Sequence, residues 1–501
     1  MRTSSTNYNK TGASKAALRP NTATSERAIA TMPLTILPDS DVRTLLHSLT
    51  RCDILELQQS LADGLHFYSN STDVEDNGCC ATYQPQRTAL KRRDGLTTLF
   101  MPASSNDGLG VKIVTLAAPD RTTTQPSSSD GPSLASSPSV SMSSLSISSS
   151  TPSTSTATSK STLDLPPITP ASSISASSGT QDTTPRGSLS LFDAVGNPRG
   201  VINAEELTAF RTALASTALF KKRKSVHDVT VFGAGKQAYW HIRLALLLRG
   251  PEIHHLNIIN RSFDNAYKLV ENLFKSEAGQ HLDHPKIAII TPNHGEYDRL
   301  LKDAVRAAAV IFCTTPASLP LFPASHLTST EGRKKGRYIA AVGSYKPHMI
   351  ELHPDILRQA VAPPHGRHHH KHAREGGAVI VDTIEGCLRE AGEIIQAGLE
   401  AHEVVELGEL VMLKRDAENR RREDEAGRRM SESSFDREGV EISSKRKKDK
   451  GDGGDGGLRD WLERGNVIYK SVGLGLMDVV VGIELVKLAD ERGLGTRIEN
   501  F

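Results

Sequence analysis

The stretch Val229-Thr-Val-Phe-Gly-Ala-Gly-Lys-Gln-Ala-Tyr-Trp-His241 is a short apolar strand that runs through Gly233-Ala-Gly235-Lys236-Gln237-Ala238 into a helix. Gly233 permits a tight turn, Gly235 lets backbone N–H groups approach a pyrophosphate, and Ala238 keeps the third position of the fingerprint small enough for close helix-to-strand packing. The partial positive charge at the start of the helix faces the phosphates. The stretch is therefore read as the phosphate turn of a dinucleotide-binding fold.

Apolar runs recur beyond this turn at Leu256–Ile259, Ile287–Ile290, Ala309–Phe312, Tyr338–Val342 and Ala378–Val381, with helix-length spacers. With the first strand they make six. Continuous β-branched runs alternating with helical segments indicate a parallel sheet covered on both faces, an α/β architecture of the doubly wound Rossmann type. The second run ends in Asn260-Arg261-Ser262, where an NAD-binding domain usually carries an acid for the ribose 2′-OH. A guanidinium there binds a 2′-phosphate bidentately and the Ser262 hydroxyl adds a hydrogen bond, which favours NADP(H) and leaves NAD(H) open. A solvated surface arginine is the other reading of Arg261.

The chain has 501 residues, enough for two or three domains, and a net charge of +2 that gives no reason to expect nucleic acid or a membrane surface as partner. Its five cysteines show neither metal spacing nor a disulfide framework, and no apolar run is long enough to span a bilayer, so a cytoplasmic protein without a metal is expected. Residues 1–32 read as a disordered tail, although their basic, Ser/Thr-rich composition is also compatible with an organellar transit peptide. In residues 121–180, Ser, Thr and Pro fill 40 of 60 positions, too little apolar surface to offset chain entropy. Residues 121–181 and the charged, Gly-rich 414–458 are thus read as two disordered low-complexity insertions. The basic run in the second reads as a solvated loop or a nuclear signal, and His365–His372 as a surface loop or an adventitious metal binder.

Upstream, three cations stand among apolar neighbours: Arg87 in Gln86-Arg-Thr88, Lys112 in Gly110-Val-Lys-Ile-Val114, and Arg211 on a helix expected over Ala204–Phe220. That helix starts with Asn203 as N-cap and Glu206 as the partner in a capping box, and Arg211 shares its core-facing stripe with Leu207, Phe210 and Leu214. A guanidinium there needs an anion, either a protein carboxylate or a ligand carboxylate or phosphate. Lys112 has the same two readings, and in a desolvated pocket beside other cations its proton is labilised, as suits a donor to a nitrogen or oxygen of the substrate.

Arg87-Thr88, Gly-Val-Lys-Ile-Val, Ser190-Leu-Phe-Asp193 with its Gly196-Asn-Pro turn, Arg211-Thr212, Gly-Ala-Gly-Lys-Gln-Ala and Lys470-Ser-Val-Gly473 followed by Asp478 together resemble the ornithine cyclodeaminase and mu-crystallin family. The resemblance implies a homodimer. Residues 33–120, 182–220 and 459–501 would build an α+β substrate and dimerisation domain, with the Rossmann domain, 221–413, inserted in it. It implies that Arg87 and Lys112 hold the substrate carboxylate and that Val472 lines the substrate. Thr184 and Arg211 would contact the cofactor, with Lys236, Gln237, Thr314, Val342, Gly343 and Ser471 along its path.

One departure bears on the chemistry. Where ornithine cyclodeaminases carry an Asp thought to act as base, this chain has Tyr345 in Gly343-Ser-Tyr-Lys-Pro347. A phenol with a pKa near 10 is a poor proton acceptor at neutral pH. The expectation is an NADP(H)-dependent oxidoreductase acting on a small amino or imino acid, such as a cyclic ketimine carboxylate. The alternatives are ornithine cyclodeaminase, giving proline and ammonia, and a non-catalytic NADPH-dependent binding protein.

Overall fold

Strands β7 (Asp228–Phe232), β8 (His255–Ile259), β9 (Lys286–Ile290) and β10 (Val310–Cys313) carry mostly branched or aromatic side chains, as do β11 (Tyr338–Ala341), β12 (Val379–Val381), β13 (Val404–Glu406) and β14 (Val467–Lys470). They form one parallel sheet in the order β13-β12-β14-β11-β10-β7-β8-β9. Every residue of β10, β11, β12 and β14 is buried, the state expected when helices cover both faces. The six runs read from the sequence are all present, and β13 and β14 are additions. The order turns at β7, which has β8 on one side and β10 on the other, and this opens a crevice at the carboxyl ends of the strands. The computed structural model describes residues 33–69, 84–116, 186–275, 277–362, 378–410 and 455–501.

Strand β14 comes from the C-terminal segment yet lies inside the parallel sheet, between β11 and β12. Past Lys470 the chain crosses to the helix Gly475–Arg492, which packs on a second sheet, so the segment 459–501 serves both layers. That sheet contains β1 (Leu34–Leu37), β2 (Thr88–Lys91), β3 (Thr97–Ser105), β4 (Gly108–Leu116), β5 (Arg186–Asp193), β6 (Pro198–Asn203) and β15 (Thr496–Ile498). Its order is β15-β1-β6-β5-β4-β3-β2, antiparallel except where β1 meets β6.

Along β4 the side chains alternate, as a strand requires. Gly110, Lys112, Val114 and Leu116 are buried, whereas Val111, Ile113 and Thr115 are half-buried and Leu109 is exposed. Lys112 therefore shares a face with the inward residues and not with its apolar neighbours in sequence. The buried face meets the helices Gly475–Arg492 and Ala204–Phe220.

The helix Ala204–Phe220 matches its expected span, and the Asn203 side chain caps it by accepting from the Glu205 N–H at 3.0 Å. The expected capping box is not formed. Glu206 is drawn instead to stronger donors: Trp240 Nε1 at 2.8 Å, Lys236 Nζ at 2.6 Å and Arg43 Nε at 3.2 Å. The stretch expected to be unstructured to residue 458 is helical from Asp455 to Arg464. The basic run, the His-rich stretch and Thr184 lie outside the described residues. Among the described residues no helix is long and apolar enough to cross a membrane, and no group of side chains has a metal-binding arrangement.

Candidate active site

The fingerprint turn has the geometry a dinucleotide needs. Gly233 has φ +110°, and a Cβ there would stand 2.7 Å from Thr314 Oγ1, so only glycine fits. Thr314 Oγ1 donates to the Phe232 carbonyl at 2.7 Å and locks the neighbouring loop onto the turn. At Gly235 a Cβ would meet nothing within 4 Å, and no side chain caps the helix Lys236–Arg249 that starts there. Its first N–H groups thus face open space suited to a phosphate. Ala238 is fully buried against the sheet.

Of the fingerprint side chains Lys236 is already engaged by the protein, whereas Gln237 offers only its backbone carbonyl and its Oε1 has no hydrogen-bond partner among the described residues. Lys236 donates to Glu205 at 2.7 Å and Glu206 at 2.6 Å, and the Gln237 carbonyl oxygen lies 2.7 Å from His241 Nδ1. At the end of β8, Asn260 Nδ2 donates to the Ser262 carbonyl, and Ser262 Oγ caps the helix Phe263–Phe274 by accepting from the Asn265 N–H. Arg261 between them is exposed.

The second half of the site is built on the mixed sheet. Lys112 Nζ donates to Asp478 Oδ1 at 2.8 Å, and Arg211 Nε donates to the same oxygen at 3.1 Å. Lys112 is 2% exposed and Asp478 not at all. Two cations share one carboxylate, which leaves one unit of positive charge buried and makes the place receptive to an anion. Burial pushes the Lys112 ammonium down to about 8; Asp478 opposes the shift and Arg211 adds to it.

Arg87, immediately before β2, reaches across to Glu390 on the helix Ile384–Glu390 of the parallel-sheet layer, with Nε on Oε1 at 2.9 Å and a second contact from Nη2 to Oε2. Burial lowers the Arg87 guanidinium from its ordinary value, and the charges acting on it include Asp382, Tyr345 and Arg211. Burial also raises the Tyr345 phenol, so this residue is no base near neutral pH. Arg87, Arg211, Lys112 and Tyr345 are thus brought into one electrostatic neighbourhood.

The Lys470-Ser-Val-Gly473 loop forms the floor. Asp382, at the carboxyl end of β12, accepts from Ser471 Oγ and the Gly473 N–H, both at 2.7 Å. Val472 is nearly buried beside them, and a Cβ on Gly473, whose φ is +93°, would lie 3.1 Å from Arg211 Nη2. Thr314, Val342 and Gly343 lie at the ends of β10 and β11, partly exposed toward the crevice. The open question about Arg211 is answered by a protein carboxylate, Asp478, which is shared with Lys112. Asp382 and Glu390 were missed. Asp382 follows the apolar run Ala378–Val381 at a strand end, where site residues of parallel sheets gather, and that was a readable signal.

The Ornithine cyclodeaminase/mu-crystallin family model matches residues 176–420, a span that holds Arg211, the fingerprint, Tyr345 and Asp382. A Δ1-pyrroline-2-carboxylate reductase of Bacillus cereus is 26% identical over 311 residues, 61% of this chain and 71% of that protein. An uncharacterised protein of Saccharomyces cerevisiae is 30% identical over 239 residues, which are 43% of this chain and 60% of the yeast protein's length. The Thermococcus litoralis Δ1-pyrroline-2-carboxylate reductase, solved with NADH and L-proline, superposes with a TM-score of 0.54 over 92% of this chain and 99% of its own. At 19% identity that likeness is one of fold. Over residues 176–420, just under half of its length, the chain is similar to the ornithine cyclodeaminase/mu-crystallin family.

Proposed function

We propose that this protein is an NADPH-dependent imine reductase that converts a small cyclic ketimine carboxylate to the cyclic amino acid. The observation that carries the reading is the Lys112–Asp478–Arg211 group, a buried proton donor with an unbalanced positive charge, in the same neighbourhood as Arg87 and Tyr345. The names of the Bacillus and Thermococcus relatives support the same chemistry.

A bound nicotinamide would supply the hydride to the α-carbon of the imine. Arg87 receives the substrate carboxylate through Nη1, since Glu390 engages Nε and Nη2. Lys112 donates its proton to the imine nitrogen; Asp478 holds that ammonium in place and is itself fixed by Arg211. Tyr345, a neutral phenol, does not supply the base that cyclodeamination of ornithine requires.

Incubation of the pure protein with NADPH and pyrroline-2-carboxylate is expected to consume the two in equal amounts. Ammonia release from L-ornithine without net cofactor loss would return the cyclodeaminase instead. Cofactor binding with neither turnover would return a binding protein.

The preference for NADPH rests on Arg261, an exposed cation where no acid follows β8. Arg261→Ala is expected to weaken NADPH binding about 10- to 100-fold, the worth of a charge-assisted pair, and to leave NADH binding unchanged. Equal weakening of the two cofactors in a titration would overturn the preference. A homodimer fits the outer face of the mixed sheet, where Leu90 and Leu109 are 55% and 40% exposed beside half-buried Val111 and Ile113.

A further inference from the structure

The carboxyl edge of the parallel sheet contains a second polar group, which the chemistry above does not use. Glu351 is wholly buried in the loop after β11. Its Oε1 accepts from the Thr315 backbone N–H at 2.7 Å, and its Oε2 accepts from the N–H groups of Gly343 at 2.7 Å and Ser344 at 3.3 Å. One carboxylate thereby joins the loop after β10 to the loop after β11.

The two loops press together so closely that a Cβ on Gly343 would stand 2.2 Å from the Thr315 carbonyl oxygen. Backbone bonds from Ile350 N to Ala317 O at 2.8 Å and from Leu321 N to Glu351 O at 2.9 Å extend the seam. On one side the seam reaches the fingerprint turn, because Thr314 and Thr315 are the residues packed on Gly233. On the other it reaches the floor of the site: Lys470 Nζ donates to the carbonyl and hydroxyl oxygens of Ser344, both at 2.6 Å, and Ser344 Oγ donates to Glu393. Glu393 in turn accepts from the Glu351 N–H at 2.8 Å.

We propose that Glu351 is a positioning residue for the nicotinamide end of the cofactor. Its carboxylate fixes the spacing between the Thr314–Thr315 and Gly343–Ser344 backbones and registers both against the Lys470-Ser-Val-Gly473 loop. This rests on the reductase reading above. A buried carboxylate is costly, and burial, with Glu393 adding to it, pushes Glu351 up to about 7 against the opposing effects of Lys470 and the loop N–H groups. An apolar residue of similar size would fill the space at less cost but could not accept from both loops.

The test compares wild type, Glu351→Gln and Glu351→Asp with two ligands, NADPH and 2′,5′-ADP, the latter carrying the adenine end without nicotinamide. In Glu351→Gln the amide NH2 must face one of the loop N–H groups. In Glu351→Asp the charge stays but the shorter arm cannot reach both loops, and this variant serves if the glutamine form does not fold. The expected result is unchanged 2′,5′-ADP affinity, NADPH affinity lowered about tenfold and kcat lowered with it. Equal loss of both ligands, or no loss of either, overturns the proposal. If wild type binds neither ligand, the reductase reading fails and not the positioning role alone.

Discussion

Lys112→Met is expected to lower kcat for imine reduction about 10²- to 10⁴-fold, the usual worth of a placed general acid, while NADPH binds as in wild type. The variant should fold, because removal of one of two cations leaves Arg211 and Asp478 as a balanced pair and a methionine fills most of the lysine volume. In the wild type the donor must hold its proton. With the ammonium at about 8, kcat/KM for reduction is level below that pH and falls as pH rises through it, and oxidation of the amino acid shows the opposite slope. A pH–rate profile measured in both directions checks this. A Lys112→Met enzyme with wild-type kcat would remove Lys112 from the chemistry.

Asp478→Asn is expected to cost about 3–5 kcal/mol of folding stability, because it leaves Lys112 and Arg211 facing each other in a buried site with no counter-charge. Denaturant unfolding reads the loss. A small carboxylate such as L-proline should restore part of it by entering as the missing anion, with the gain rising with concentration. If the variant unfolds at the wild-type midpoint, the shared carboxylate is not what holds the two cations together. The loss should also exceed that of Lys112→Met, since that substitution removes a charge from an already unbalanced group and this one removes the carboxylate the two cations share.

Local pattern carried much of this site into view. The Gly233–Ala238 turn was legible because its demands are steric and contiguous, and the structure shows them as a positive φ and an uncapped helix start. Lys112 and Arg211 were legible as cations in apolar company. Their partner's function was not, because Asp478 lies 366 residues from Lys112 and 267 from Arg211, and nothing local says which carboxylate a buried cation will meet. The same distance hid Glu390, 303 residues from Arg87. Glu206 was misread for a related reason. Its position favours a capping box, but tertiary donors from Lys236, Trp240 and Arg43 outcompeted one backbone N–H. Strands β13 and β14 are no shorter than β12 and β10, which were read as apolar runs, but β13 closes on Glu406 and β14 on Lys470, so neither stands out as a continuous apolar run. Glu351 left no mark at all, since a carboxylate in a loop reads as solvated until its three backbone donors are seen.

The late arrival of β14 shapes how the molecule must be made. A nascent chain that has emerged as far as Arg464 can pair β11 with β10 and β12 with β13, but the seat between β11 and β12 is still vacant. Two bare parallel edges then wait on the ribosome for a partner that is synthesised after both of them, and such edges invite pairing with other chains. Nonlocal parallel pairing of this kind is slow. C-terminal truncation before Val467 should therefore yield an aggregating product and not a smaller nucleotide-binding domain.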